Sequence, residues 1–124
     1  MRLRSIDFVE MQVKDWPSAV KWYQDKLSLE IGAREDEHEY CQLRLPSGSC
    51  KLALYGVPSV QLGTTNRCTP AILVDNLPAT VAALREKAVV IKSDVTGGDE
   101  GYRVATIEDC EGNLIQLYEW YRPS

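Results

Sequence analysis

The chain has 124 residues, 44% hydrophobic and 26% charged, enough for one folded domain or two small modules and unlike a disordered segment. Its formal charge, 14 − 18 = −4, argues against binding a phosphate backbone, so no nucleic-acid partner is expected. No stretch approaches a membrane span, and Asp7 and Glu10 interrupt any leader-like apolar run after Met1, so a cytoplasmic protein without membrane contact is expected.

In chain order, Ile6–Val13 reads as a strand with Phe8, Glu10 and Gln12 on one face and Val9, Met11 and Val13 on the other. Asp15 is placed to cap a helix, Pro17 falls in its first turn, and Val20, Tyr23 and Leu27 recur at helical spacing. Strands follow near Glu30–Glu35, Tyr40–Leu45 and Ser49–Tyr55, the last two joined by a turn at Pro46-Ser47-Gly48. Residues 57–68, with Pro58, Gly63 and Thr64-Thr65-Asn66, read as a linker. The pattern then restarts: a strand over Thr69–Val74, and a helix capped by Asn76 with Val81, Leu84 and Ala88 inward. A short strand over Val89–Ser93 follows, then a flexible loop over Asp94–Gly101 that could act as a lid or equally be only a long hairpin connection, and a hairpin of Tyr102–Ile107 with Leu114–Trp120.

The two halves echo each other in residues as well as in pattern. Val13-Lys14-Asp15-Trp16-Pro17-Ser18-Ala19-Val20 is matched by Val74-Asp75-Asn76-Leu77-Pro78-Ala79-Thr80-Val81 at an offset of 74 − 13 = 61. Leu52-Ala53-Leu54-Tyr55 is matched by Ile115-Gln116-Leu117-Tyr118 at 115 − 52 = 63. That period is too long for a solenoid unit and suits a duplicated module. The expected fold is α+β: a β-α-β-β-β module over 4–56 and a second over 69–121, forming a curled mixed sheet around a cleft. Clefts between such modules suit small ligands.

This paired layout resembles the vicinal oxygen chelate superfamily, which includes glyoxalase I, extradiol dioxygenases, and fosfomycin- and bleomycin-resistance proteins. The resemblance covers the whole chain. It is carried by Val13-Lys14-Asp15-Trp16-Pro17, Trp22-Tyr23, Lys26-Leu27-Ser28-Leu29-Glu30-Ile31-Gly32, Val74-Asp75-Asn76-Leu77 and Asp109-Cys110-Glu111-Gly112-Asn113-Leu114-Ile115-Gln116-Leu117. The last is similar to the family's Asp-Pro-x-Gly-Asn-x-x-Glu signature. The resemblance puts metal-ligand positions at Phe8, Ala53, Thr69 and Gln116, of which only Gln116 offers a useful oxygen. It also implies a homodimer.

The polar candidates are Glu10, on the face of Phe8, and Gln116; Glu10 could bind a cation or act as a base, or simply be solvated. Tyr118 and Trp120 share the face of Gln116, and Tyr55 that of Ala53, so aromatic walls would suit a planar or cationic molecule. Trp120 and Tyr121 could instead cover a module seam or a dimer contact. Arg103 could meet an anionic group or be exposed, and His38 reads as a solvated loop residue. Cys41, Cys50, Cys68 and Cys110 lack Cys-x-x-Cys spacing and read as reduced thiols. The expected function is metal-independent binding of a small organic molecule, of the drug-resistance or sequestration type, with no cofactor and no catalytic residue. The alternative is a metal-dependent lyase, isomerase or dioxygenase with non-standard ligands, or an interaction subunit with a vestigial cleft.

Overall fold

A computed structural model of the chain describes residues 1–48, 50–62, 68–99 and 101–120. Ser49, Gly63, Thr64-Thr65-Asn66 and Tyr121, named above, lie outside these residues, as does Glu100 within the Asp94–Gly101 stretch. Among the described residues there are two α-helices and eight strands in two four-stranded sheets, the α+β fold of two tandem modules. Two compact units divide the chain, Met1–Leu62 and Gly63–Ser124.

In the first unit, β1 (Phe8–Val13) is followed by α1 (Trp16–Leu27), β2 (Glu30–Glu35), β3 (Tyr40–Arg44) and β4 (Lys51–Gly56). The sheet order is β1-β4-β3-β2, with β1 parallel to β4 and the other pairs antiparallel. Alternation along β1 buries Met11 and Val13 and exposes Phe8, Glu10 and Gln12. Asp15 caps α1 by accepting hydrogen bonds from the Ser18 backbone N–H (3.3 Å) and hydroxyl (2.9 Å). The helix buries Trp16, Ala19, Val20 and Tyr23. Each large apolar side chain so removed from water contributes roughly 1.5–3 kcal/mol. Trp16 also donates its indole N–H to the Leu54 carbonyl on β4 (3.1 Å), and the Arg34 guanidinium lies 5.1 Å from its ring centroid. A 3₁₀ turn, Asp36–His38, links β2 to β3 and ends at Glu39, whose φ is +50°.

The second unit runs β5 (Ala71–Leu73), α2 (Leu77–Glu86), β6 (Val90–Gly97), β7 (Tyr102–Glu108) and β8 (Leu114–Trp120), ordered β5-β8-β7-β6 with β5 parallel to β8. Asn76 caps α2 through the Ala79 N–H (3.0 Å), and Leu77, Val81 and Leu84 are buried. Ala88, expected on the buried face of this helix, lies beyond its end. It is exposed at φ +63°, and Val89 takes the buried place. The Val89 N–H reaches back to the Leu84 carbonyl (3.0 Å) and the Ala88 N–H to Arg85 (3.0 Å), closing the helix with a left-handed residue that is usually glycine.

The expected loop from Asp94 is likewise corrected: β6 continues to Gly97, and the connection to β7 is short. Asp94, where the β6–β7 register is interrupted, pairs with Arg85 (2.7 Å). Gly97 is required there, because its φ is +93° and a Cβ would stand 2.8 Å from the Tyr102 carbonyl oxygen.

Candidate functional site

Residues opposed across a ladder share a face, so the register shows which side chains stand together. In the first unit Glu10, Ala53 and Gln42 form one row across β1, β4 and β3, and Gln12, Tyr55 and Tyr40 the next; Phe8 stands opposite Lys51. Phe8, Glu10, Ala53 and Tyr55 therefore lie together on the face turned away from the buried Met11, Val13 and Leu54. The Phe8 and Tyr40 rings meet edge to face, with centroids 6.5 Å apart. By register these two residues are diagonal corners of an array centred on Ala53, so their rings approach across it. Ala53 is 0% exposed, as that arrangement requires. Gln42 donates from Nε2 to the Tyr40 hydroxyl (2.8 Å) and steadies the pair.

The charges on this face are mostly matched. Lys51 meets Asp7 (3.9 Å), Arg44 meets Glu30 (3.7 Å) and Glu35 meets His38 (2.6 Å). His38 is exposed and stands apart from the Glu10–Ala53–Gln42 row. Glu10 is exposed and makes no hydrogen bond or ion pair with another described residue.

In the second unit Ala71, Gln116 and Thr106 form a row across β5, β8 and β7; Leu73, Tyr118 and Val104 form the next, and Trp120 stands opposite Tyr102. Trp120 is 65% exposed and makes edge-to-face contacts with Tyr118 (5.7 Å) and Tyr102 (6.3 Å). Gln116, Tyr118 and Trp120 thus come together as expected of alternate residues, with Tyr102 as a third ring. Gln116 is half-buried, and its side chain bonds to no other described residue. Thr69 does not join them on a strand: it is exposed and lies two residues before β5 begins.

Arg103 is on the opposite face of this sheet, paired with Glu119 (2.6 Å), whose carboxylate also accepts the Leu77 N–H at the start of α2 (3.2 Å). A carboxylate at a helix N-terminus meets unsatisfied N–H groups and a favourable dipole, so Arg103 and Glu119 join sheet to helix. Neither the anionic-ligand role nor the exposed one considered for Arg103 matches this half-buried pair.

The residues that sequence reasoning missed are Tyr40, Gln42 and Tyr102. Alternation alone could have found the first two: Cys41 and Leu43 are buried between Tyr40, Gln42 and Arg44, which sends those three to the open face.

The four positions where a metal would be held do not fit one. Phe8 is engaged with Tyr40, Ala53 offers a methyl group, Thr69 a hydroxyl and Gln116 an amide. Divalent metals need several imidazole, thiolate or carboxylate donors. Among the described residues no three His, Cys, Asp or Glu side chains gather as such a group.

Duplicated β-α-β-β-β modules, each with one face packed on a helix and one open face bearing aromatic and amide groups, define a class that the family comparison identifies. The chain belongs to the glyoxalase/bleomycin resistance protein/dioxygenase superfamily, whose model matches residues 5–117. Its fold is similar to that of a superfamily member from Sphaerobacter thermophilus (TM-score 0.81, 16% identity, covering 94% of this chain and 98% of that one). TnmS3, an antibiotic binding protein from a Streptomyces species, is similar over 100% of this chain and 99% of its own (TM-score 0.80, 21% identity). UcmS2 is similar over 95% and 98% (TM-score 0.77, 21% identity). No curated protein matches the chain in sequence.

Proposed function

We propose that this protein binds a small organic molecule on its open sheet faces without a metal, as a sequestering or resistance protein rather than an enzyme. The observation that carries this reading is the cluster on β8: Trp120, 65% exposed, held by two edge-to-face rings beside Gln116. A ring fixed in orientation yet open to solvent loses little freedom when a planar ligand stacks on it, and the amide supplies direction. The likeness to an antibiotic binding protein supports the same reading. The donor set at Phe8, Ala53, Thr69 and Gln116 supports independence from metal.

The test is a thermal-shift screen of planar aromatic compounds against chelator-treated protein. A ligand present at one hundred times its dissociation constant adds about 2.7 kcal/mol, a rise of roughly 10 °C for a chain of this size. The rise should persist in chelator, and Tyr118→Ala should weaken binding about tenfold by removing one ring contact. A rise that appears only when a divalent metal is restored would overturn the reading.

A further inference from the structure

We infer that the open face of the first unit selects an organic cation, a protonated amine on an apolar or aromatic body, with Glu10 as its counter-ion. The inference rests on the small-molecule reading and names the ligand chemistry of that face.

Charge complementarity points to a cation. The cations placed on this face are matched, Lys51 with Asp7 and Arg44 with Glu30, and Glu35 is hydrogen-bonded to the His38 ring. Lys51, two residues out of line with Glu10 in the ladder, turns to Asp7 instead. Glu10 is left as a carboxylate with no partner among the described residues.

The groups around it favour the same ligand. Across the row, Gln42 uses its amide N–H on the Tyr40 hydroxyl, which leaves its amide oxygen to accept. Both polar groups flanking Ala53 are thus hydrogen-bond acceptors, and they stand two strand spacings apart, about 10 Å. A group rich in N–H donors is satisfied there, whereas a carboxylate or phosphate would meet Glu10 as a like charge. The Phe8–Tyr40 pair supplies the wall. An edge-to-face pair leaves ring faces open to a ligand, and the negative face of an aromatic ring attracts a cation.

The ion pair and the cation–π contact are partly solvated, so each contributes a factor of a few, about tenfold together.

Three probes with one body test this on the full chain: naphthylmethylammonium, naphthylmethanol and naphthoate, titrated by calorimetry with amide chemical shifts recorded in parallel. The ammonium compound should bind about tenfold more tightly than the alcohol, with naphthoate weakest, and its shifts should centre on β1, β3 and β4. Glu10→Gln should cut the preference for ammonium over alcohol from about tenfold to about threefold, and added salt should weaken the ammonium arm most. Phe8→Leu should weaken ammonium binding a few-fold. Equal binding of ammonium and alcohol, or a preference undiminished by Glu10→Gln, overturns the cation inference and leaves small-molecule binding standing. Binding of none of the three to either unit overturns both.

Discussion

Removing the Asp109 carboxylate should unfold the protein at a much lower temperature, and the size of the effect follows from its bonds. Asp109 is 5% exposed at the turn between β7 and β8. Its Oδ1 accepts the backbone N–H groups of Glu111 and Asn113 (2.8 Å each), and Oδ2 accepts the Asn113 side-chain amide (3.0 Å). Asp109→Ala leaves three donors without this acceptor. A buried donor so orphaned costs about 1–3 kcal/mol, and the outer side of the turn can recover water, so the sum is about 3 kcal/mol. Unfolding entropy near 2.1 cal/mol/K per residue over 124 residues is about 0.26 kcal/mol/K, giving a fall in Tm of roughly 11 °C. Asp109→Asn keeps an acceptor for both backbone groups and sets one amide against another, so it should cost only about 1 kcal/mol. Scanning calorimetry with urea unfolding measures both variants. An alanine variant losing less than about 1 kcal/mol, or an asparagine variant as unstable as alanine, would refute the account of this turn.

Three further substitutions read other parts of the structure. Burial pushes the Cys41 thiol above its usual pKa, with Arg34 pulling the other way. The folded state therefore holds this proton more tightly, and its stabilising share is complete below the unfolded thiol's pKa, about 8.5. It is lost as pH rises beyond that value, so stability should fall in alkaline solution and fall less in Cys41→Ala. Thiol labelling should modify the exposed Cys50, Cys68 and Cys110 quickly and Cys41 only on unfolding. At Gly56 an added Cβ would stand 2.8 Å from the Glu39 Cβ and run into its carboxylate. Gly56→Ala should cost about 1–2 kcal/mol, and Glu39→Gly, which also suits a φ of +50°, should restore the loss in denaturant titrations.

Helix starts and strand faces were legible in the sequence because their causes are local. Asp15 and Asn76 cap through residues three positions on, and alternation along β1 alone decides that Glu10 faces away from Met11. Helix and strand ends were less legible where an unusual residue takes a special conformation: Ala88 at φ +63° closes α2 without a glycine. Likewise Asp94 reads as a loop residue, yet β6 runs on past it through an interrupted register with β7 that no local pattern signals. The candidate site was legible strand by strand but not across strands. Phe8 and Ala53 follow from the resemblance, whereas the Tyr40 ring and the Gln42 amide join them only through the β3–β4 register. Glu119 closing over the Leu77 N–H joins residues 42 positions apart, which no local pattern announces.

In each sheet the first strand of the unit pairs with its last, and this governs how the chain must fold. Phe8 pairs with Lys51, 51 − 8 = 43 positions on, and Ala71 with Gln116, 116 − 71 = 45 positions on. The earliest-made strand of each unit must therefore wait, with both backbone edges unpaired within its sheet, until the latest has been synthesised. Closing so long a loop before any contact rewards it makes the rate-limiting step a non-local one. During that wait β1 and β5 are the natural templates for another chain, so aggregation during refolding should depend on protein concentration and be relieved by slowing association rather than by strengthening the helices.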